Sequence, residues 1–172
     1  MTTKLCTGVP FPKTTASKLG GGEVTLGTAP AAQLIVVYRG QHCPVCKSYL
    51  SGLEGLLPRF AAEDITVVVA SADSEEQARG FMDEIGYTGD VAYGLTIAQM
   101  QDLGLHLSAP RTPPETDHVF PEPGLFFVDE EGLLSLVDIG SAPFLRPDLE
   151  GVLNGIIFTR SKGFPIRGRY GV

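Results

Sequence analysis

Two cysteines separated by two residues, Cys43 and Cys46 in "YRGQHCPVCKSYL", are the side chains of this sequence best suited to chemistry. The run before them, "AQLIVVYR" at 32–39, is continuous and rich in β-branched residues, as expected of a strand buried on both faces. After them Tyr49, Leu50, Leu53, Leu56, Leu57 and Phe60 recur at helical spacing, and Pro58 is expected to end or kink that helix. Cys43 therefore falls where a strand gives way to a helix. Pro44 takes the first helical position, where its missing N–H is no loss. The unpaired N–H groups and dipole of that helix end favour a thiolate at Cys43 over a thiol. Cys46 lies one turn further, its sulfur within reach of Cys43, so the pair is able to cycle between dithiol and disulfide.

Two other uses of a close Cys pair fit less well. A metal site needs about four ligands; there is no second CxxC, and His42, His106 and His118 are scattered. No metal and no other cofactor is expected. A purely structural disulfide is not required either, because a chain of 172 residues can bury a sufficient core unaided. With three cysteines in all, the sequence is not a secreted disulfide scaffold. The third, Cys6, sits beside Gly8 and Pro10 and reads as a buried or idle thiol, behaving as a small hydrophobe.

Apolar residues make up 43% and charged residues 19% of the chain, a globular composition. The formal net charge is −7, which argues against nucleic acid as a partner, since phosphate binding rests on clustered Lys and Arg. The basic "TRSKGFPIRGRYG" near the end reads as a solvated tail balancing an acidic body. The opening "MTTKLCTGVPFPKTT" has no apolar stretch of signal-peptide length, and no segment has the length of apolar residues a membrane helix needs. A cytoplasmic protein without membrane association is expected.

The elements that must position the cysteines follow from pattern. Gly20, Gly21 and Gly22 between short runs suggest an N-terminal hairpin. "ITVVVASA" at 65–72 reads as a second buried strand, and "DSEE" at 73–76 opens a helix running towards Gly86. "DVAYG" is a short strand and "TIAQMQDLG" a short helix. The Pro-rich stretch at 105–123, "LHLSAPRTPPETDHVFPEP", is too long for a plain connection; such loops are usually functional or mobile. "GLFFVDEEGLLSLVDIG" reads as two strands joined by a tight turn, and a last helix is expected over about 148–158. The order predicts an α/β fold, a mixed central β-sheet flanked by helices, in one domain with an arm at 1–13 and a tail at 159–172.

Several stretches, in this order, resemble a known family. "CPVCK" opening a helix after a buried strand resembles the thioredoxin active site. "GLFFVDEEGLL" resembles the strand-turn-strand of the peroxiredoxins, the alkyl hydroperoxide reductase and thiol-specific antioxidant family. "APFLRPDLEGVL" resembles the segment that follows it there, and "YRGQHCPVC" and "FPIRG" are typical of the peroxiredoxin-like relatives carrying CPxC. The likeness covers nearly the whole chain after Gly22 and implies a thioredoxin-like fold. It departs in the motif PxxxTxxC, where Val36 stands at the Pro and Gly40 at the peroxide-binding Thr. A second Arg is replaced by Pro123, at a position where thioredoxins hold a cis-proline facing the dithiol. A cis Glu122–Pro123 bond beside Cys43 is expected by that analogy.

The resemblance implies a thiol-based antioxidant oxidoreductase with Cys43 as nucleophile, Cys46 resolving its sulfenate or mixed disulfide, and an external dithiol, such as a thioredoxin or glutathione system, restoring the pair. The substrate is a peroxide, as the fold likeness favours, or a disulfide, as the CxxC and missing Thr favour. Arg146 matches the family's Arg near the chain end and is a candidate to stabilise the Cys43 thiolate and the leaving oxygen. Arg39, four residues before Cys43, is a second candidate. His42, Pro44, Glu122 and Pro123 are candidates for the surface where substrate or partner docks. A homodimer is a further expectation. The competing reading is a redox-sensing binding module whose CxxC state controls a partner surface, with the 105–123 stretch as its moving part.

Overall fold

The computed structural model describes residues 5–28 and 30–171. A hairpin forms first: β1 (Thr14–Lys18) and β2 (Glu23–Leu26) pair antiparallel around the glycine turn. There follow β3 (Ala32–Val37), α1 (Pro44–Glu54), α2 (Leu57–Ala62), β4 (Ile65–Ala70), α3 (Glu75–Ile85), β5 (Asp90–Tyr93) and α4 (Ile97–Asp102). Two short strands, β6 (Leu107–Ser108) and β7 (Phe120–Pro121), precede β8 (Gly124–Val128), β9 (Leu134–Ile139) and α5 (Leu149–Ser161).

One seven-stranded sheet runs in the order β2-β1-β5-β4-β3-β8-β9. Strands β3, β4 and β5 are parallel and joined by helices, whereas β8 is antiparallel to β3 and β9 to β8. The mixed sheet with an N-terminal hairpin is the thioredoxin-like architecture expected from the sequence. Alternation along β3 explains its unbroken apolar run. Leu34 and Val36 face the layer holding Leu50, Leu53, Phe60, Phe81 and Leu153 of four helices, while Ile35 and Val37 face the layer holding Met100, Phe11 and Phe126. The one polar residue of β3, Gln33, is buried, and its side-chain oxygen accepts the Gly27 N–H at 2.8 Å.

Local signals set the helix limits. Ser74 and Thr96 each close a capping box with the glutamine three residues on, and Gly86 ends α3 at φ 66°. The interruption expected at Pro58 falls at Gly55 and Leu56, and Pro58 opens α2 within its first turn. Two expectations are corrected. The last helix continues to Ser161, past the expected start of the tail. The 105–123 stretch carries its own two-stranded pairing, Leu107 opposite Pro121 and Ser108 opposite Phe120.

The arm is tied to the sheet, with Pro10 bridging to Leu133 and the Gly8 N–H donating to the Leu134 carbonyl. Among the described residues no helix is long and apolar enough to cross a membrane.

Candidate active site

Cys43 is the N-cap of α1, with extended backbone (φ −101°, ψ 105°) and Pro44 beginning the helix. Its sulfur accepts the Cys46 backbone N–H at 3.3 Å. The two cysteines are not joined by a disulfide, and Cys43 is 1% and Cys46 0% exposed. The hydrogen bond from the Cys46 thiol is the largest influence on Cys43. With the Cys46 N–H and Arg39 it overrides burial and brings the Cys43 pKa down to about 5. Cys46 moves the opposite way, because its thiol is held as donor to Cys43 and is itself buried. The pair therefore keeps its one proton on Cys46 at neutral pH.

Gly40 shapes the turn before the nucleophile. Its φ is 135°, and a Cβ there would lie 2.6 Å from Asp73 Oδ1 and 3.2 Å from His42 Nδ1. No threonine fits this backbone, which gives a physical reason for the departure from PxxxTxxC.

The two candidate arginines divide between the two sulfurs. Arg39 favours the Cys43 thiolate. Its Nε lies 3.1 Å from Glu122 Oε2, both side chains nearly buried, and its guanidinium carbon is 4.7 Å from the Phe120 ring centroid. Glu122 is fixed in turn by the Ser108 hydroxyl, which donates to Oε1 at 2.7 Å. Arg146 was expected at the Cys43 thiolate; its Nη2 instead donates to Cys46 Sγ at 3.4 Å. Its Nε donates to the Pro143 carbonyl, and its guanidinium carbon lies 4.8 Å from the Tyr49 ring centroid. Because Tyr49 Oη donates to the Pro147 carbonyl, the 143–147 strand of chain is clamped against α1.

Pro44 is exposed at the helix start, and Pro123 is buried just before β8, its carbonyl accepting the Gly140 N–H. His42 packs its ring 4.5 Å from Phe120, and burial followed by the Arg39 charge lowers its pKa. Cys6 is half-buried in the arm, and His106, exposed, contributes its carbonyl to the Glu122 N–H. Among the described residues no group of three or more His, Cys, Asp or Glu is placed to hold a metal ion.

Three residues of this region were not singled out as site candidates. Asp73 is fully buried where β4 meets α3; its Oδ2 accepts the Gln41 N–H at 2.8 Å, anchoring the turn before Cys43. His118 stands between two carboxylates, Nε2 at 3.4 Å from Asp73 Oδ1 and Nδ1 at 2.7 Å from Asp117 Oδ1. Phe120, 1% exposed, lies against both His42 and Arg39. The local sequence marks Asp73 only as a helix start and gives no cue to the other two, since their partners come from elsewhere in the chain.

Burial raises the Asp73 pKa to about 6 against 3.8 for the free carboxyl, despite the Gln41 N–H and His118. The folded state thus favours the protonated form. The stabilisation it confers is complete below pH 3.8 and is lost as pH rises through about 6. An Asp73→Asn variant should gain on the wild type by about 2 kcal/mol between pH 4 and 7. Urea unfolding at several pH values reads this; a difference that stays flat would count against it.

A sequence model described as the AhpC/TSA family matches residues 7–137. Among curated proteins nothing matches. Among solved structures, a peroxiredoxin-like protein from Aquifex aeolicus is similar at 18% identity and a TM-score of 0.76, covering 91% of this chain and 88% of its own. AhpC of Mycobacterium bovis is similar at 16% and 0.76, covering 92% and 94%. A PrxQ mutant of Xylella fastidiosa is similar at 15% and 0.75, covering 92% and 99%. At such identities the likeness is one of fold. The family match spans most of the chain, so this protein belongs to the AhpC/TSA family. It is a thiol-based antioxidant oxidoreductase.

Proposed function

We propose that the protein reduces peroxides through a Cys43–Cys46 cycle. The observation that carries this reading is the placement of the pair. Cys43 caps the N-terminus of α1 and its sulfur accepts the Cys46 N–H at 3.3 Å, which favours its thiolate, while Arg146 donates to Cys46 Sγ at 3.4 Å. The Cys43 thiolate attacks the peroxide; an S–O bond forms, the O–O bond breaks and an alkoxide or hydroxide leaves, taking a proton from solvent. The Cys46 thiol then attacks the sulfenic acid; an S–S bond forms, the S–O bond breaks and water leaves. An external dithiol reduces that disulfide by exchange, itself becoming the disulfide. Arg39 stabilises the attacking thiolate, and Arg146 the Cys46 sulfur as it loses its proton.

Peroxide is favoured over a disulfide substrate because Cys43 is 1% exposed. A small peroxide needs little room, whereas a disulfide in a folded protein must bring two bulky chains to the sulfur. A cytoplasmic location and a homodimer belong to the same reading. The test is the loss of thiols from pre-reduced protein on adding one equivalent of hydrogen peroxide at pH 7. A rate at least ~100-fold above that of a free cysteine is expected. A rate equal to the free thiol's would transfer the assignment to disulfide exchange.

A further inference from the structure

The segment at 105–123 packs beside the turn that leads into Cys43 and is held there by groups from three other parts of the chain. At its base Leu107 and Ser108 pair with Pro121 and Phe120. Glu122 meets Arg39 at 3.1 Å. Further along, His118 meets the buried Asp73 carboxylate at 3.4 Å, and Asp117 Oδ1 accepts the side-chain N–H of Gln77 from α3 at 3.1 Å. The inward side chain is Phe120. Its ring rests on His42 and against the Arg39 guanidinium, the residues flanking the turn that carries Cys43. Cys43, which follows His42 directly in the chain, is 1% exposed. Asp73 joins the two halves of the arrangement, because one oxygen receives the Gln41 N–H of the nucleophile turn and the other faces His118 of the covering segment.

The geometry points to Phe120 as the residue that sets the size of molecule able to reach Cys43, carried on a lid at 105–123 that the Asp73–His118 contact latches. This rests on the reading of Cys43 as the nucleophile. Small peroxides react with the lid down or slightly displaced. A bulky hydroperoxide, or the protein dithiol that reduces the Cys43–Cys46 disulfide, requires it to lift. Most of the latch is side-chain contact to one half-buried histidine, so it releases without disturbing the central sheet.

The experiment labels reduced protein at pH 7 with iodoacetamide and, separately, with pyrene maleimide, and follows modification of the Cys43 peptide by mass spectrometry. The ratio of the two rates cancels any change in thiolate fraction. For the wild type the bulky-to-small ratio should lie at least ~10-fold below that of a free cysteine peptide. Phe120→Ala and His118→Gln should each bring it to within ~3-fold of the peptide. Phe120 is buried and its truncation carries a risk of unfolding; His118 is half-buried, so His118→Gln, checked for an unchanged circular dichroism spectrum, decides alone if Phe120→Ala does not fold. A wild-type ratio equal to the peptide's, or a ratio that His118→Gln leaves unmoved, overturns the lid. Alkylation needs no peroxide. Protein inert to hydrogen peroxide but with the expected labelling ratios would overturn the peroxidase reading and support the lid.

Discussion

Cys43→Ser abolishes peroxide-driven thiol oxidation, a loss of at least about 10³-fold, because no other sulfur in the site is held as a thiolate. Cys46→Ser behaves differently. It completes the first step and stops, leaving a Cys43 sulfenate that dimedone captures and mass spectrometry detects. The pH profile separates the same roles. With Cys43 brought to about 5, the rate constant for hydrogen peroxide should be flat from pH 7 to 9 and fall to half near pH 5. A profile with its midpoint near 9, the ordinary thiol value, would refute thiolate stabilisation by this helix end. Stability follows by linkage. A folded-state pKa below the unfolded one gives stabilisation that is complete above about pH 9 and lost as pH falls through about 5. Reduced protein should therefore gain on the Cys43–Cys46 disulfide form as pH rises from 5 towards 9. Urea unfolding of both forms measures that difference.

Legibility in the sequence tracks how local the cause is. The strand at β3 and the cysteines at the start of α1 were readable because each signal lies within one turn or one strand: an unbroken β-branched run, a proline at the first helical position, apolar spacing after it. Gly40 was readable as a departure, but its reason was not. The Asp73 oxygen that forbids a side chain there arrives from the next strand. The same holds for Arg146. Its match to the family motif marked it as a site residue, but which sulfur it meets depends on how the 143–147 chain crosses α1, set by the Tyr49 hydroxyl and the Pro143 carbonyl. Strands β6 and β7 were missed because two residues each, one of them a proline, carry no period. His118 and Phe120 lay in a stretch recognisable only as too long to be idle.

Arg39 tests how the site divides its charge. Its side chain is 12% exposed and its Nε lies 3.1 Å from the buried Glu122. Arg39→Met leaves that carboxylate buried without its counter-charge and should lower stability by roughly 3–5 kcal/mol. It also removes the positive charge that favours the Cys43 thiolate. A loss of about 1.5–3 kcal/mol of thiolate stabilisation moves the midpoint for Cys43 alkylation from about 5 to roughly 6–7 and lowers the thiolate fraction, and with it the peroxide rate, by about 2- to 15-fold at pH 6. Adding Glu122→Gln to Arg39→Met removes the stranded charge, so the double variant should recover most of the stability and none of the rate. That pattern separates a direct effect on the sulfur from loosened structure; rate and stability recovering together would make Arg39 a structural residue. Arg146→Met supplies the contrast. Because its contact is to Cys46, it should leave sulfenate formation within about 3-fold of the wild type and slow disulfide closure by about 10-fold. Stopped-flow measurement of the two phases distinguishes these. An Arg146 effect confined to the first phase would return that arginine to the Cys43 thiolate, as the family motif alone implies.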